Sequence, residues 1–410
     1  MGVGLSFVQR INPAWFLAAA AFFLPIKPAP VNLFLALALV FIFIGAKYRQ
    51  QLLNNFKRKE LLPLWVLLFF LALTYFFPSN NPSNYQEFLS KYGRLILVPV
   101  LACALVNQVD REIVGKGFLA GVALVLFLSY AIWLGIDPAL FGVEATTMSA
   151  NAGNPTVFKA HITHNFFLVI AIYFWINAAL KQPRSKFALL YTGLLLLALW
   201  NLFGMIDGRT GWLVFMVLPL FYGYRLYGLK GLCIAGVVFV MLLVAAYFLV
   251  GNVNERISMG ILEMEQLLAS VPKQGTSIGE RVMYLTSSWS AFLQAPLLGY
   301  GLGGVENAVE PYTTAAAWPS FHNPHNQYLM FLVQGGVVAL FVYLVFYGNL
   351  VYQSASSAWS QVHILPVLLV YLVGNMLNSF HFDFSEGVGF VLLVAAYVAT
   401  LNNSEMKSAQ

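Results

Sequence analysis

Charged and helix-breaking residues cut this chain into a succession of apolar runs. Bounded by charge, Pro, Gly or Asn, the runs fall near 13–27, 31–46, 61–77, 92–108, 113–135, 163–180, 187–206, 211–224, 231–250, 326–350, 361–380 and 387–402. Strands of an outer-membrane barrel would alternate over about 10 residues, whereas a membrane-crossing helix needs about 17 to 25 apolar ones. The pattern predicts an all-α integral membrane protein of about 12 spans, a single polytopic domain over 1–410 with both ends on one side.

Composition agrees with this reading. Of 410 residues 60% are hydrophobic and 9% charged, against about a quarter charged in soluble domains; the mean hydropathy is +0.75. Basic residues set the orientation: Lys47, Arg49, Lys57, Arg58 and Lys59 follow the second run, Lys181, Arg184 and Lys186 the sixth, Arg225 and Lys230 the eighth. Their side of the membrane carries 14 Lys and Arg against 4 acids and the other side 8 against 12, so the positive-inside rule makes those loops cytoplasmic. The net charge of +6 therefore reflects membrane orientation, and no nucleic-acid partner is expected. The first run flows into the second without a small-residue cleavage site, so it reads as a retained span. Cys103 and Cys233 lie inside apolar runs as small hydrophobes, with no disulfide or redox role assigned.

Two outer loops are long, 136–162 and 251–325, and loops on a rigid scaffold carry function. In the second, Ile257, Ile261, Met264, Leu268 and Val271 recur at helical spacing, with Glu255, Glu263 and Glu265 elsewhere on the wheel. This predicts a helix along the membrane surface or over a cavity. Ser277-Ile-Gly-Glu280 has the form of a capping box opening a further helix, with Arg281 in its first turn and Val282, Leu285, Trp289 and Phe292 as its stripe. Gly299, Gly301 and Gly304 make a formal G-x-G-x-x-G, but no strand precedes it and the dinucleotide reading fails.

Against this background Phe321-His-Asn-Pro-His-Asn-Gln-Tyr328 stands out, with an echo at His161-Ile-Thr-His164-Asn165. Asn323-Pro324-His325 reads as a helix start, with Asn as cap, Pro first and His325 in the first turn. The positive end of a helix favours a neutral imidazole able to accept a proton, while the alternative is a histidine that only caps or bonds its neighbours. Arg209 in Asp207-Gly-Arg209-Thr-Gly, Arg281, and Arg94 after Tyr92-Gly93 lie at outer span mouths, where topology disfavours arginine. Salt bridges, Arg209 with Asp207 and Arg281 with Glu280, are the plain alternative. Two or three guanidinium forks together would hold a pyrophosphate without a metal. The histidine pairs as four zinc ligands are set aside, because caps and Asn explain their neighbours; there is no P-loop and no paired-aspartate motif. Asp383, in His381-Phe-Asp383-Phe-Ser-Glu386, is the best-placed outer carboxylate, either to orient a histidine or sugar hydroxyl or to solvate its loop. His164 starts the sixth run on the same face, as a cap or as a contact for a sugar or lipid phosphate.

These residues resemble those of the O-antigen ligase and polymerase superfamily of bacterial envelopes. The resemblance is carried by Asp207-Gly-Arg209-Thr-Gly-Trp212, by Glu280-Arg281 with Trp289 and Pro296-Leu-Leu-Gly-Tyr-Gly-Leu-Gly303, and by His325-Asn326-Gln-Tyr-Leu329 followed by Gly335-Gly336. With the number of runs it covers essentially the whole chain. The ligase spacing of His-Asn, nine residues, then Gly-x-x-Gly is met at His325, Asn326 and Gly336 and departs at Ala339. The resemblance implies a membrane glycosyltransferase of the C type in the bacterial inner membrane, with both termini cytoplasmic and the 251–325 loop and active site periplasmic. It implies transfer of a glycan from undecaprenyl pyrophosphate to a sugar hydroxyl of lipid A-core, with inversion and with no metal or other cofactor. His325 would then take or align the acceptor proton, and Arg209 and Arg281, with Arg94 a weaker third, would hold the pyrophosphate. Asn326, Asp383 and His164 would support them, while the prenyl tail runs out between spans into membrane lipid. The alternatives are an O-antigen polymerase, a protein O-oligosaccharyltransferase, usually with a larger C-terminal outer domain, and a transporter, for which inverted repeats and midspan charge are lacking.

Overall fold

The computed structural model describes residues 11–77, 82–142, 151, 153–181, 183–269, 274–356 and 364–408. Val271 and part of the 136–162 loop thus lie outside the described residues, as does the start of the run at 361–380. Apart from one isolated bridge between Asn151 and Asn154, the described elements are helical. Asn12 caps α1 (Pro13–Phe23) through Ala14 N at 3.1 Å. α2 (Pro28–Ile44) bends by 99° at Gly45 into α3 (Ala46–Phe56). Then come α4 (Leu62–Leu73), α5 (Pro82–Gly93), the short α6 (Leu97–Ala102), α7 (Gln108–Trp133), α8 (His161–Lys181) and α9 (Lys186–Trp200). α10 (Arg209–Phe215), α11 (Val217–Leu249), α12 (Gly251–Ala269), α13 (Ser277–Gln294), α14 (Val305–Ala315), α15 (Gln327–Ser356), α16 (Leu365–Leu377) and α17 (Phe384–Ser408) complete the chain.

Among the described residues seven helical stretches are long and apolar enough to cross a membrane, or eight counting the bent α2–α3 pair; α1 and α16 are shorter apolar helices. α8, α15 and α17 are mostly buried and form the centre, whereas the part of α11 after Gly228 leaves nearly all of its apolar surface uncovered. The α10–α11 stretch is two arms. Tyr227 and Gly228 leave helical geometry, Gly228 at φ +61, and a Cβ on Gly223 would lie 2.5 Å from the Gly231 carbonyl oxygen. Eight residues of straight helix span about 12 Å, so the chain must double back there. The runs at 211–224 and 231–250 are separate, as their charged divider Arg225–Lys230 suggests. The run at 92–108, by contrast, does not make one helix. Arg94–Ile96 is a 3₁₀ turn, α6 has six residues, and the buried chain then turns from Cys103 to Val106.

The glycine-rich segment after α13 repairs a broken helix. Gly336 at φ +63 interrupts α15, and Tyr300 N donates to Val333 O, Gly301 N to Gln334 O and Val337 N to Pro296 O, each at 2.8 Å. Non-helical backbone inside a bundle survives only if such groups are paired again. Side chains would block the lacing: a Cβ on Gly299 would sit 2.5 Å from Val333 O, and one on Gly336 would collide with the Leu297 carbonyl. α13 also differs from expectation. Its cap is Thr276, whose Oγ1 accepts from Gly279 N at 3.2 Å. The face it packs on the protein is Met283, Ser287, Ser288, Ala291 and Phe292, so of the expected stripe Phe292 is buried while Leu285 and Trp289 are exposed. Ile261, Met264 and Leu268 of α12 are likewise uncovered. In a lipid-facing helix the most apolar side looks outward and small residues face the protein.

Candidate functional site

The outer mouth of α10 is built on α8. A Cβ on Gly208 or Gly211 would come within 2.7 Å of the Asn165 side chain, so these two glycines let the Asp207–Gly211 turn rest directly on that helix. Arg209 projects from this seat. Its Nη2 donates to Glu263 Oε2 of α12 at 3.1 Å, and the same oxygen accepts from Ile278 N at the start of α13 at 3.2 Å. Arg281, further along α13, donates from Nη2 to Thr210 Oγ1 at 2.9 Å. Neither expected local salt bridge forms. Asp207 is taken by Arg256 of α12, whose Nε donates to Oδ1 at 2.7 Å, and among the described residues Arg281 has no carboxylate at ion-pair distance. Burial first, then the neighbouring Arg209, holds the Arg281 guanidinium below the usual arginine range, with Glu263 pulling the other way. Two guanidiniums this near one another, with a single carboxylate serving Arg209, favour an incoming anion.

Tyr284 joins this half of the site to the other. It lies three residues beyond Arg281 on α13, hence on the same face, and its ring centroid is 5.4 Å from that of His325. His325 is not in a helix. Its φ is +49, Asn323 Oδ1 accepts from its N–H at 2.9 Å, and α15 begins at Gln327. The cap is Asn326, whose Oδ1 accepts from Tyr328 N and Leu329 N, both at 3.0 Å, while its Nδ2 donates to Met376 O at the end of α16. Asn326 satisfies two helix-end amides at once, so the helix starts there rather than at Asn323, and His325 sits on the loop just outside it. His325 Nδ1 stands 2.8 Å from Asn378 Oδ1, and Asn378 Nδ2 donates to Asp383 Oδ2 at 2.9 Å. Burial pushes the Asp383 carboxyl above the usual carboxylate range, against the opposing pull of Lys91, Arg94 and Lys159.

Two expected site residues lie elsewhere. Arg94 does not join Arg209 and Arg281: its Nη1 donates to Asp383 O and Phe384 O at 3.0 and 2.9 Å, its Nη2 to Phe382 O at 3.2 Å and its Nε to Lys91 O. It splints the turn that bears Asp383. His164 is buried within α8, with Nε2 2.9 Å from Asn201 Oδ1; Asn201 Nδ2 donates to Ser129 Oγ at 2.8 Å, and Ser129 to Pro155 O at 2.6 Å. It is neither a cap nor open to a ligand, and it anchors the π turn Asn201–Met205 that leads into the arginine mouth. Among the described residues no three potential metal-ligating side chains gather.

Beside Tyr284 lies a cavity of about 150 Å³ lined by Gln274, Glu280, Tyr284, Trp318, Ser320 and Phe321. Arg256, Tyr284 and Asn378 are site neighbours that the sequence does not single out. Arg256 and Glu263 are seven residues apart and so share a face of α12, and Tyr284 follows Arg281 by one turn; these spacings were the available signals. Asn378 had only its position, a polar residue closing an apolar run.

No curated protein matches this chain. Residues 193–344 match a family model described as O-antigen ligase, a segment that holds Arg209, Glu263, Arg281, Tyr284, His325 and the glycine-laced break in α15. Over that segment the chain is similar to the O-antigen ligase family.

Proposed function

We propose that this protein transfers a glycan from undecaprenyl pyrophosphate to a sugar hydroxyl of lipid A-core, at the periplasmic face of the bacterial inner membrane. On this reading it works with inversion and without metal or nucleotide, on a twelve-span fold of the membrane glycosyltransferase C type. One observation carries the reading: Arg209 and Arg281 stand at one mouth, and Tyr284, one turn along α13 from Arg281, has its ring centroid 5.4 Å from that of His325. Pyrophosphate is already a good leaving group, so the protein has two tasks, to neutralise the leaving oxygen and to take a proton from the acceptor.

The acceptor oxygen forms its bond to the anomeric carbon as the bond to the phosphate oxygen breaks. The electron pair passes to the pyrophosphate, held by Arg209 and Arg281, and the proton passes to His325. Glu263 Oε2, bonded to both Arg209 and the first turn of α13, marks where a phosphate oxygen would sit. The cavity beside Tyr284 suits a sugar: Tyr284, Trp318 and Phe321 offer faces for its C–H groups, and Glu280, Ser320 and Gln274 offer partners for its hydroxyls. The prenyl tail leaves between spans into lipid.

The test is transfer by the purified protein in liposomes, with radiolabelled lipid-linked glycan and lipid A-core supplied together. Label on lipid A-core is expected. Label that instead lengthens on the prenyl carrier, leaving lipid A-core bare, would make the protein a polymerase and overturn the acceptor assignment.

A further inference from the structure

We propose that Asn378 is a positioning residue that fixes which ring nitrogen of His325 carries the proton, and that Asp383 fixes the orientation of Asn378. The inference rests on the reading of His325 as the group that takes the acceptor proton. A primary amide has one accepting and one donating end, and its neighbours decide which end faces which. Asp383 Oδ2 lies 2.9 Å from one end of Asn378, and an ionised carboxylate can only accept, so that end is the NH₂ group. The carbonyl end therefore faces His325 Nδ1 at 2.8 Å. A carbonyl also only accepts, so Nδ1 bears the proton, and the neutral ring keeps its lone pair on Nε2. Among the described residues Nε2 has no hydrogen-bond partner, which leaves it open to an acceptor hydroxyl.

The surroundings hold this chain of bonds in register. Asn378 follows the last residue of α16 in extended geometry, its N–H bonded to Gly374 O at 2.9 Å. Asn326 ties the α15 cap to Met376 at 3.0 Å, so the loops bearing His325 and Asn378 cannot drift apart. Arg94 fixes the carbonyls of Phe382, Asp383 and Phe384; burial raises the Asp383 carboxyl, and Lys91, Arg94 and Lys159 offset part of that rise in favour of its accepting, ionised form. Without the Asn378 carbonyl, the tautomer with its proton on Nε2 becomes populated, and that nitrogen then points a donor at the hydroxyl whose proton it should take.

The experiment measures kcat and both KM values for transfer in liposomes, with the full chain. Asn378→Ala should lower kcat about 100-fold, the low end of what a positioned base contributes, while the donor and acceptor KM stay within about twofold. The exchange Asn378→Asp with Asp383→Asn keeps an acceptor against Nδ1 and a donor behind it, without two adjacent carboxylates. It should bring kcat back to within about tenfold of the parent. An Asn378→Ala protein within about threefold of parental kcat, or an exchanged protein no faster than Asn378→Ala, overturns the proposal. His325→Gln is the separate control: parental kcat in that variant would sink the base reading and this inference with it, whereas an inactive His325→Gln beside a fully active Asn378→Ala sinks the inference alone.

Discussion

Arg281→Lys separates a guanidinium that grips the leaving group from one that merely supplies charge. Arg281 is half-buried, spends one Nη2–H on Thr210 at 2.9 Å, and has no carboxylate partner at ion-pair distance among the described residues. Its remaining N–H groups are therefore available to a pyrophosphate. Lysine keeps the charge but loses the planar fork, so one charge-assisted hydrogen bond is forfeited, worth about 1.5–3 kcal/mol. At about 1.4 kcal/mol per decade this is a loss of about ten- to 150-fold in kcat/KM for the donor. Alanine, which also removes the charge, should fall further, to a total near 2.7–4 kcal/mol, or about 100- to 1,000-fold. The assay is initial-rate transfer in liposomes at several donor concentrations, with thermal unfolding as the control for folding. An Arg281→Lys protein of parental efficiency would refute bidentate binding by this residue, and an equally active Arg281→Ala would remove Arg281 from the site.

Glu263→Gln should uncover Arg209 and tighten inhibition by inorganic pyrophosphate about tenfold, equivalent to about 1.4 kcal/mol; an unchanged or weaker inhibition constant would show that Glu263 does not occupy the anion's place. Arg94→Ala should act on stability instead, costing about 3 kcal/mol or more because buried carbonyls of Phe382, Asp383 and Phe384 lose their donors. It should lower the thermal midpoint while the folded fraction binds pyrophosphate as the parent does, and the reverse pattern would restore Arg94 as a ligand. Gly336→Ala places a Cβ at φ +63 against the Leu297 carbonyl, adding about 1–3 kcal/mol of backbone strain to the collision. Little folded protein should be recovered by size-exclusion chromatography, and a normal yield would mean that the lacing of Pro296–Gly301 into α15 is dispensable.

What the sequence discloses and what it hides follow from the range of the forces involved. Hydropathy is local, so the arms on either side of Gly228 were legible from the apolar runs and the basic residues between them. The same signal misreads 92–108, because a buried broken segment and a spanning helix have similar composition, and only Gly93 and Pro99 hint at the difference. It also reads only part of the α13 face: Phe292 of the expected stripe is buried, whereas Leu285 and Trp289 are exposed and Ser287, Ser288 and Ala291 meet protein. Asn323 and Asn326 are equally good caps on sequence alone, and the bond from Asn326 to Met376, fifty residues away, favours the second. Distance in sequence decides the arginines too. Arg94 and Arg281 look alike as outer arginines, until the carbonyls near Asp383, 288 to 290 positions further on, claim the donors of Arg94.

Asp383 makes stability and activity respond oppositely to pH. Burial raises its folded-state pKa above the ordinary carboxylate value, and Lys91, Arg94 and Lys159 offset only part of that, while Glu386 faces it from α17. For a group raised on folding, the contribution to stability is fully present below the unfolded value and is lost as pH rises through the folded value. The fold therefore gains as pH falls from neutrality toward the ordinary carboxylate range. Activity needs the other form. Ionised Asp383 accepts from Asn378 and so leaves the amide carbonyl to His325 Nδ1; protonated Asp383 donates to that carbonyl, turns the amide over and moves the imidazole proton to Nε2. Over the same window kcat should fall while the thermal midpoint rises. Asp383→Asn removes this titrating group and leaves Glu386 in place, so it should make the thermal midpoint less dependent on pH, at a lower plateau of kcat. If the thermal midpoint of Asp383→Asn rises with acid as steeply as the parent's and its kcat stays parental, the carboxylate governs neither the pH response of the fold nor the amide that orients the histidine.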